Sequence, residues 1–164
     1  MAVLDINFTQ ATDTQQLARM LQDFFFRHPE IMKEPESSRT TALWEHESHA
    51  NTEDVKIGRL VQVYPSNMVK VAGGTVHATG IVTAYVGDMR VKWATDAWMW
   101  LKPLGTLGSG FQELWLTAGG GITMDQPTTG ILQKVGFVLN YDATSEEYLC
   151  RIQIGPPLGI NLGS

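Results

Sequence analysis

The chain has 164 residues, 43% of them hydrophobic, and a formal net charge of −5 with a pI near 5.3. That is enough for one ordinary domain with a real core, and the acidity argues against nucleic-acid backbones or anionic membranes as the main partner. Cys150 is the single cysteine, which excludes an intrachain disulfide and a CxxC zinc cluster.

The apolar runs are shorter than a bilayer span, so no transmembrane helix is expected. The start, Met1 to Asp13, lacks the basic and apolar pattern of a signal peptide, so synthesis and folding in a cytosol are expected. Composition changes near residue 55. All 16 glycines lie at or after Gly58. Residues 1–54 hold ten acids against four bases, a net charge of −6, and the remainder holds eight bases against seven acids, +1. An acidic, glycine-free extension over 1–54 precedes a glycine-punctuated β domain over 55–155, and 156–164 form a tail.

The extension predicts one helix, Asp13 to Arg27. Asp13 is an N-cap and Gln16 completes a capping box. Leu17, Met20, Leu21, Phe24 and Phe25 recur at helical spacing and make one apolar stripe. Pro29 ends it. The polar stretch from Glu30 to Asp54, with its isolated Leu43-Trp44, reads as an extended arm that orders on a partner surface.

From Val55 the period becomes two. Strands are expected over Val55–Val63, Met68–Ala72, Gly80–Val86, Met89–Trp93, Ala97–Lys102, Leu114–Thr117, Ile122–Met124, Ile131–Leu139 and Tyr148–Ile154. Turns are expected at Tyr64-Pro65-Ser66-Asn67 and Gly87-Asp88, with a glycine-rich loop over Leu104–Gly110. Eight to nine short strands indicate a mainly β fold, a small antiparallel β-barrel or sandwich, with the N-terminal helix and arm attached. Gly155-Pro156-Pro157 opens an irregular or polyproline-like end.

Residues that could carry chemistry are few. His46 and His49 offer a His-x-x-His pair with Glu45 and Glu47 nearby, but not the zincin His-Glu-x-x-His spacing; a solvated polar arm is the plainer reading. Gly119-Gly120-Gly121 precedes a strand and lacks the Gly-Lys-Ser/Thr of a phosphate loop, so it reads as a tight turn with positive φ. Cys150 alternates with Ile152 and Ile154, which places it on a buried face rather than at a reactive site. No catalytic residue, metal or cofactor is expected. Trp93, Trp98, Trp100 and Trp115 are dense for a domain this small. They fit a subunit interface, core packing or a ligand platform.

The last hundred residues resemble the decoration proteins of tailed-bacteriophage capsids, also called cement or head-stabilising proteins. The resemblance rests on Gly80-Ile81-Val82, the Met89 to Trp100 pair of strands, and Leu114-Trp115-Leu116-Thr117 with Gly121-Ile122-Thr123. It continues through Pro127-Thr128-Thr129-Gly130 into Gln133 to Leu139, and closes on Arg151-Ile152-Gln153-Ile154-Gly155. It implies a non-enzymatic virion structural protein, made in the host cytoplasm and bound to the outer capsid surface. Its partners would be the major capsid protein and itself, as a homotrimer, with no nucleic acid and no membrane. A head-fibre or tail-spike base module for attachment is the alternative, and a small-ligand barrel or enzyme the third. The expected contact residues are Leu17, Met20, Leu21, Phe24, Phe25, Trp44, Trp93, Trp98, Trp100 and Trp115.

Overall fold

A computed structural model describes residues 18–19 and 40–161. Leu17, Met20, Leu21, Phe24 and Phe25, and with them the expected apolar stripe, lie outside the described residues. Twelve strands follow in chain order: β1 (Thr40–Leu43), β2 (His46–Ala50), β3 (Leu60–Tyr64), β4 (Met68–Val71), β5 (Gly80–Gly87), β6 (Arg90–Ala94), β7 (Asp96–Leu101), β8 (Glu113–Thr117), β9 (Gly121–Thr123), β10 (Gly130–Asp142), β11 (Glu147–Gln153) and β12 (Pro157–Asn161). Among the described residues no helix is long and apolar enough to cross a membrane.

The strands form two sheets. In the first, pairing runs β2-β4-β3-β5-β6 and returns to β2, so the hydrogen bonds close in a ring. In the second, the order is β1-β7-β11-β10-β8-β9, with β12 on β10. Pairing is antiparallel except between β2 and β4, which run parallel. Strands β6 and β7 are separated by Thr95 alone, yet they belong to different sheets.

Alternation explains how the sheets stack. Val61, Val69, Val82, Val91 and Trp93 pack together within the ring. Their neighbours Leu60 and Ile81 join a second cluster with Ala97, Met99, Leu114, Leu116, Val135, Cys150 and Ile152 of the open sheet. Strand β5 starts as four buried residues in a row because both of its faces are covered there.

Two turns set hairpin geometry. Asp88 and Met89 both have positive φ between paired Gly87 and Arg90, the signature of a type I′ turn. Ser66 and Asn67 do the same in the three-residue loop from Tyr64 to Met68.

Three expectations need correction. The arm was expected to run unbroken to Asp54, but β1 pairs with β7 and β2 pairs with β4 and β6. The compact unit holding the strands runs Ser37–Ser164, so a boundary at residue 54 falls inside it. In β2 only Ser48 and Ala50 point inward to burial, and residues this small and polar leave no hydrophobic alternation to read. The expected tail holds β12, because Pro157 stands first in a strand that pairs along one edge only, where its missing N–H costs nothing. Finally, Val55 is buried in the turn ahead of Gly58, and the strand begins only at Leu60.

Candidate docking surface

The outer face of the open sheet carries Trp98 and Trp100, two of the aromatic residues that the sequence marked. On β7, Ala97 and Met99 point into the core, so Asp96, Trp98 and Trp100 point out. On β11, Cys150 and Ile152 point in, so Leu149 and Arg151 point out. Register then lines up one row across five strands: Thr41 opposite Trp98, Trp98 opposite Arg151, Arg151 opposite Phe137, and Phe137 opposite Glu113. Trp100 and Leu149 sit side by side in the next row.

Stacking ties the row together. The Arg151 guanidinium lies 5.2 Å from the Trp98 ring centroid, and the Phe111 and Phe137 rings are 5.2 Å apart. Arg151 Nη2 donates to Asp96 Oδ2 at 2.7 Å, and Lys134 Nζ donates to Glu113 Oε1 at 2.6 Å. Arg151 and Lys134 are thus each paired with a carboxylate on this face. Trp98 is 46% exposed and Phe111 75% exposed. Contiguous apolar surface of this kind marks interaction sites.

Among the described residues no strand pairs with the outer edge of β1. The far edge, β9, is covered: the Leu104 N–H donates to the Ile122 carbonyl, and the Met124 N–H donates to the Leu104 carbonyl. Strand β1 holds Thr40-Thr41-Ala42-Leu43, with no charge and no proline to discourage pairing. Leu43 is exposed, and Trp44, with φ +55, is 86% exposed at the turn into β2.

The four clustered tryptophans separate. Trp98 and Trp100 lie together on the outer face. Trp93 is buried in the ring, where its Nε1–H donates to Ser48 Oγ at 2.9 Å and Ser48 Oγ–H donates to Asn67 Oδ1 at 2.8 Å. Trp115 is buried too, with the Lys134 ammonium 5.4 Å from its ring. Trp93 packs with the core of the ring, whereas Trp115 alternates with the core residues Leu114 and Leu116 and so stands on the outer side of β8; neither leaves much surface to solvent within the chain. Phe111, Phe137, Leu149 and Arg151 were missed. The alternation of Cys150 and Ile152 could have placed Arg151 outward, but its meeting with Trp98 depends on register between strands some fifty residues apart.

His46 and His49 do not converge. They stand three residues apart on a strand, so they point to opposite faces. The His46 ring stacks on Trp93 at 4.7 Å, and His49 pairs across the sheet with Arg90. Gly119 and Gly120 have φ of +67 and +69, as the triple-glycine turn requires. Among the described residues no group of three or more His, Cys, Asp or Glu side chains gathers in one place.

Cys150 is buried, its Sγ 3.4 Å from the Tyr148 carbonyl. Burial pushes the thiol from 9.0 up to about 12. The folded chain then holds this proton where the unfolded chain has released it. The thiol's contribution to stability is fully present below pH 9 and falls as pH rises from there toward about 12. In that window the slope is about 1.4 kcal/mol per pH unit. Urea unfolding at about pH 8 and about pH 10.5 should show native protein losing more stability than Cys150→Ala, whatever their offset. Equal losses in the two proteins would mean that the thiol titrates normally.

No known protein-family model matches the chain, and no curated protein matches it.

Proposed function

We propose that this chain is a virion structural protein of the capsid-decoration kind, which binds the outer surface of the shell and stabilises it. The observation that carries the reading is the outer row Trp98–Arg151–Phe137, a ladder of planar groups in which Trp98 is exposed, Arg151 and Phe137 are half-buried, and the Arg151 charge is paired with Asp96. Docking on such a face strips little water from unpaired charge, so apolar burial is largely retained as affinity. We read the five-strand ring as the small barrel of these modules and the open sheet as its contact layer. The resemblance of residues 80–155 to cement proteins supports the partners: the major capsid protein and sister copies in a homotrimer, at the outer face of the virion.

The test is rebinding to capsids from which the protein has been stripped. Trp98→Ala is expected to weaken rebinding by about tenfold or more, in the manner of a central aromatic anchor. Its melting temperature should stay close to the native value, because Trp98 is already half exposed. Trp98→Ala that rebinds as well as the native protein would remove this face from the contact.

A further inference from the structure

A second feature lies away from the tryptophan face and takes no part in the docking reading. A cleft of about 420 Å³ is lined by Asp125 to Gly130, in the connection from β9 to β10, and by Gly73 and Gly74. Small-molecule sites fall in the range of roughly 300–1,000 Å³. The wall is anchored: the Ile131 N–H donates to the Gly74 carbonyl at 2.8 Å.

The lining has two characters. Pro127 supplies apolar surface, and the core residues Leu116 and Ile131 lie buried behind the lining. Thr117, Gln126, Thr128 and Thr129 supply three hydroxyls and one amide, none of which has a hydrogen-bond partner among the described residues. Thr123, by contrast, is already used: its Oγ1 donates to the Leu104 carbonyl and accepts from the Asp125 N–H. Asp125 is the one charged residue on the lining, and its Oδ1 accepts from the Thr106 N–H at 3.5 Å.

We propose that this cleft binds a neutral saccharide. A pyranose ring offers a C–H face to apolar residues and a rim of hydroxyls that both donate and accept. Threonine hydroxyls and a glutamine amide match that rim, since each also donates and accepts. A ligand lacking hydroxyls would strip water from these groups on binding and leave them unpaired, which costs affinity. An anion would meet Asp125 with no cation on the lining to offset it. Phosphates and sugar acids are therefore disfavoured, and a purely apolar ligand is too.

The experiment uses the full chain with glucose, galactose, mannose and N-acetylglucosamine, each as free sugar and as methyl glycoside. Saturation-transfer NMR and calorimetry read binding at up to about 10 mM, the range of weak sites. At least one neutral sugar should saturate, and its uronic acid should bind about tenfold more weakly. Equal binding of the glycoside points to the end of a glycan, and binding of the free sugar alone points to a free monosaccharide; either supports the site. Thr128→Val with Thr129→Val should weaken binding about tenfold at unchanged melting temperature, because both residues are exposed. No saturation by any neutral sugar, or binding that is indifferent to the double variant, overturns the proposal. The capsid-rebinding reading is untouched by either result.

Discussion

Gly136→Ala is expected to be the most damaging single substitution in the described chain. Gly136 lies in β10 opposite Ile152, next to a bulge in the pairing with β8. Its φ is +158, and a Cβ built there would stand 2.1 Å from the Arg151 carbonyl oxygen. That oxygen is backbone in the neighbouring strand, so relief requires β10 and β11 to part. These strands carry Val135, Cys150 and Ile152 of the main cluster, so parting them opens the core. A loss on the order of 4 kcal/mol or more follows, in the range reserved for strain and core disruption. For a domain of this size that lowers the melting temperature by on the order of 10 °C. Thermal unfolding followed by tryptophan fluorescence checks it. A shift of only a degree or two would show that the strands yield easily at this point.

The second large effect is expected at Gln133, one of the most buried polar side chains, at 1% exposure. Its Oε1 accepts from the Ala78 N–H at 2.7 Å, and its Nε2 donates to the carbonyls of Ala78 and Gly155, both at 2.8 Å. One amide thus joins three segments: the connection ahead of β5, strand β10, and the link from β11 to β12. Gln133→Leu keeps the volume but leaves a buried N–H and two carbonyls without partners. Each unsatisfied buried group costs about 1–3 kcal/mol, so a total on the order of 3–5 kcal/mol is expected. Hydrogen exchange should also show the Ala78 amide losing its protection. A leucine variant as stable as the native protein would mean that water replaces the clamp without loss.

The sequence made some of this architecture legible and hid the rest, for physical reasons. Strands with one face buried announced themselves: Val91 and Trp93 alternate with Arg90 and Lys92, and Ala97 and Met99 alternate with Trp98 and Trp100. Glycine and Asn-containing turns marked the hairpins, since positive φ is costly for most residues. Strand β2 was hidden because the interior it faces admits only Ser48 and Ala50 beside Trp93. Strand β12 was hidden behind Pro156-Pro157 and has no core beneath it.

The site was only half readable. The alternation of β7 put Trp98 and Trp100 on one face, and nothing local said which face met water. Trp93 and Trp98 are five residues apart, yet the chain changes sheets at Thr95 between them. One tryptophan therefore enters the ring and the other reaches solvent. That division depends on long-range pairing, as does the meeting of Trp98 with Arg151.

The release temperature of packaged DNA, measured on capsids with and without this protein, tests the central claim most directly. A protein that binds the assembled shell and not its separated parts raises the shell's stability by mass action. Release should therefore move to higher temperature as occupancy rises. The shift should depend only weakly on salt, because Arg151 and Lys134 on the proposed contact face are already paired with carboxylates. Identical release temperatures at full occupancy and at zero occupancy would contradict the account.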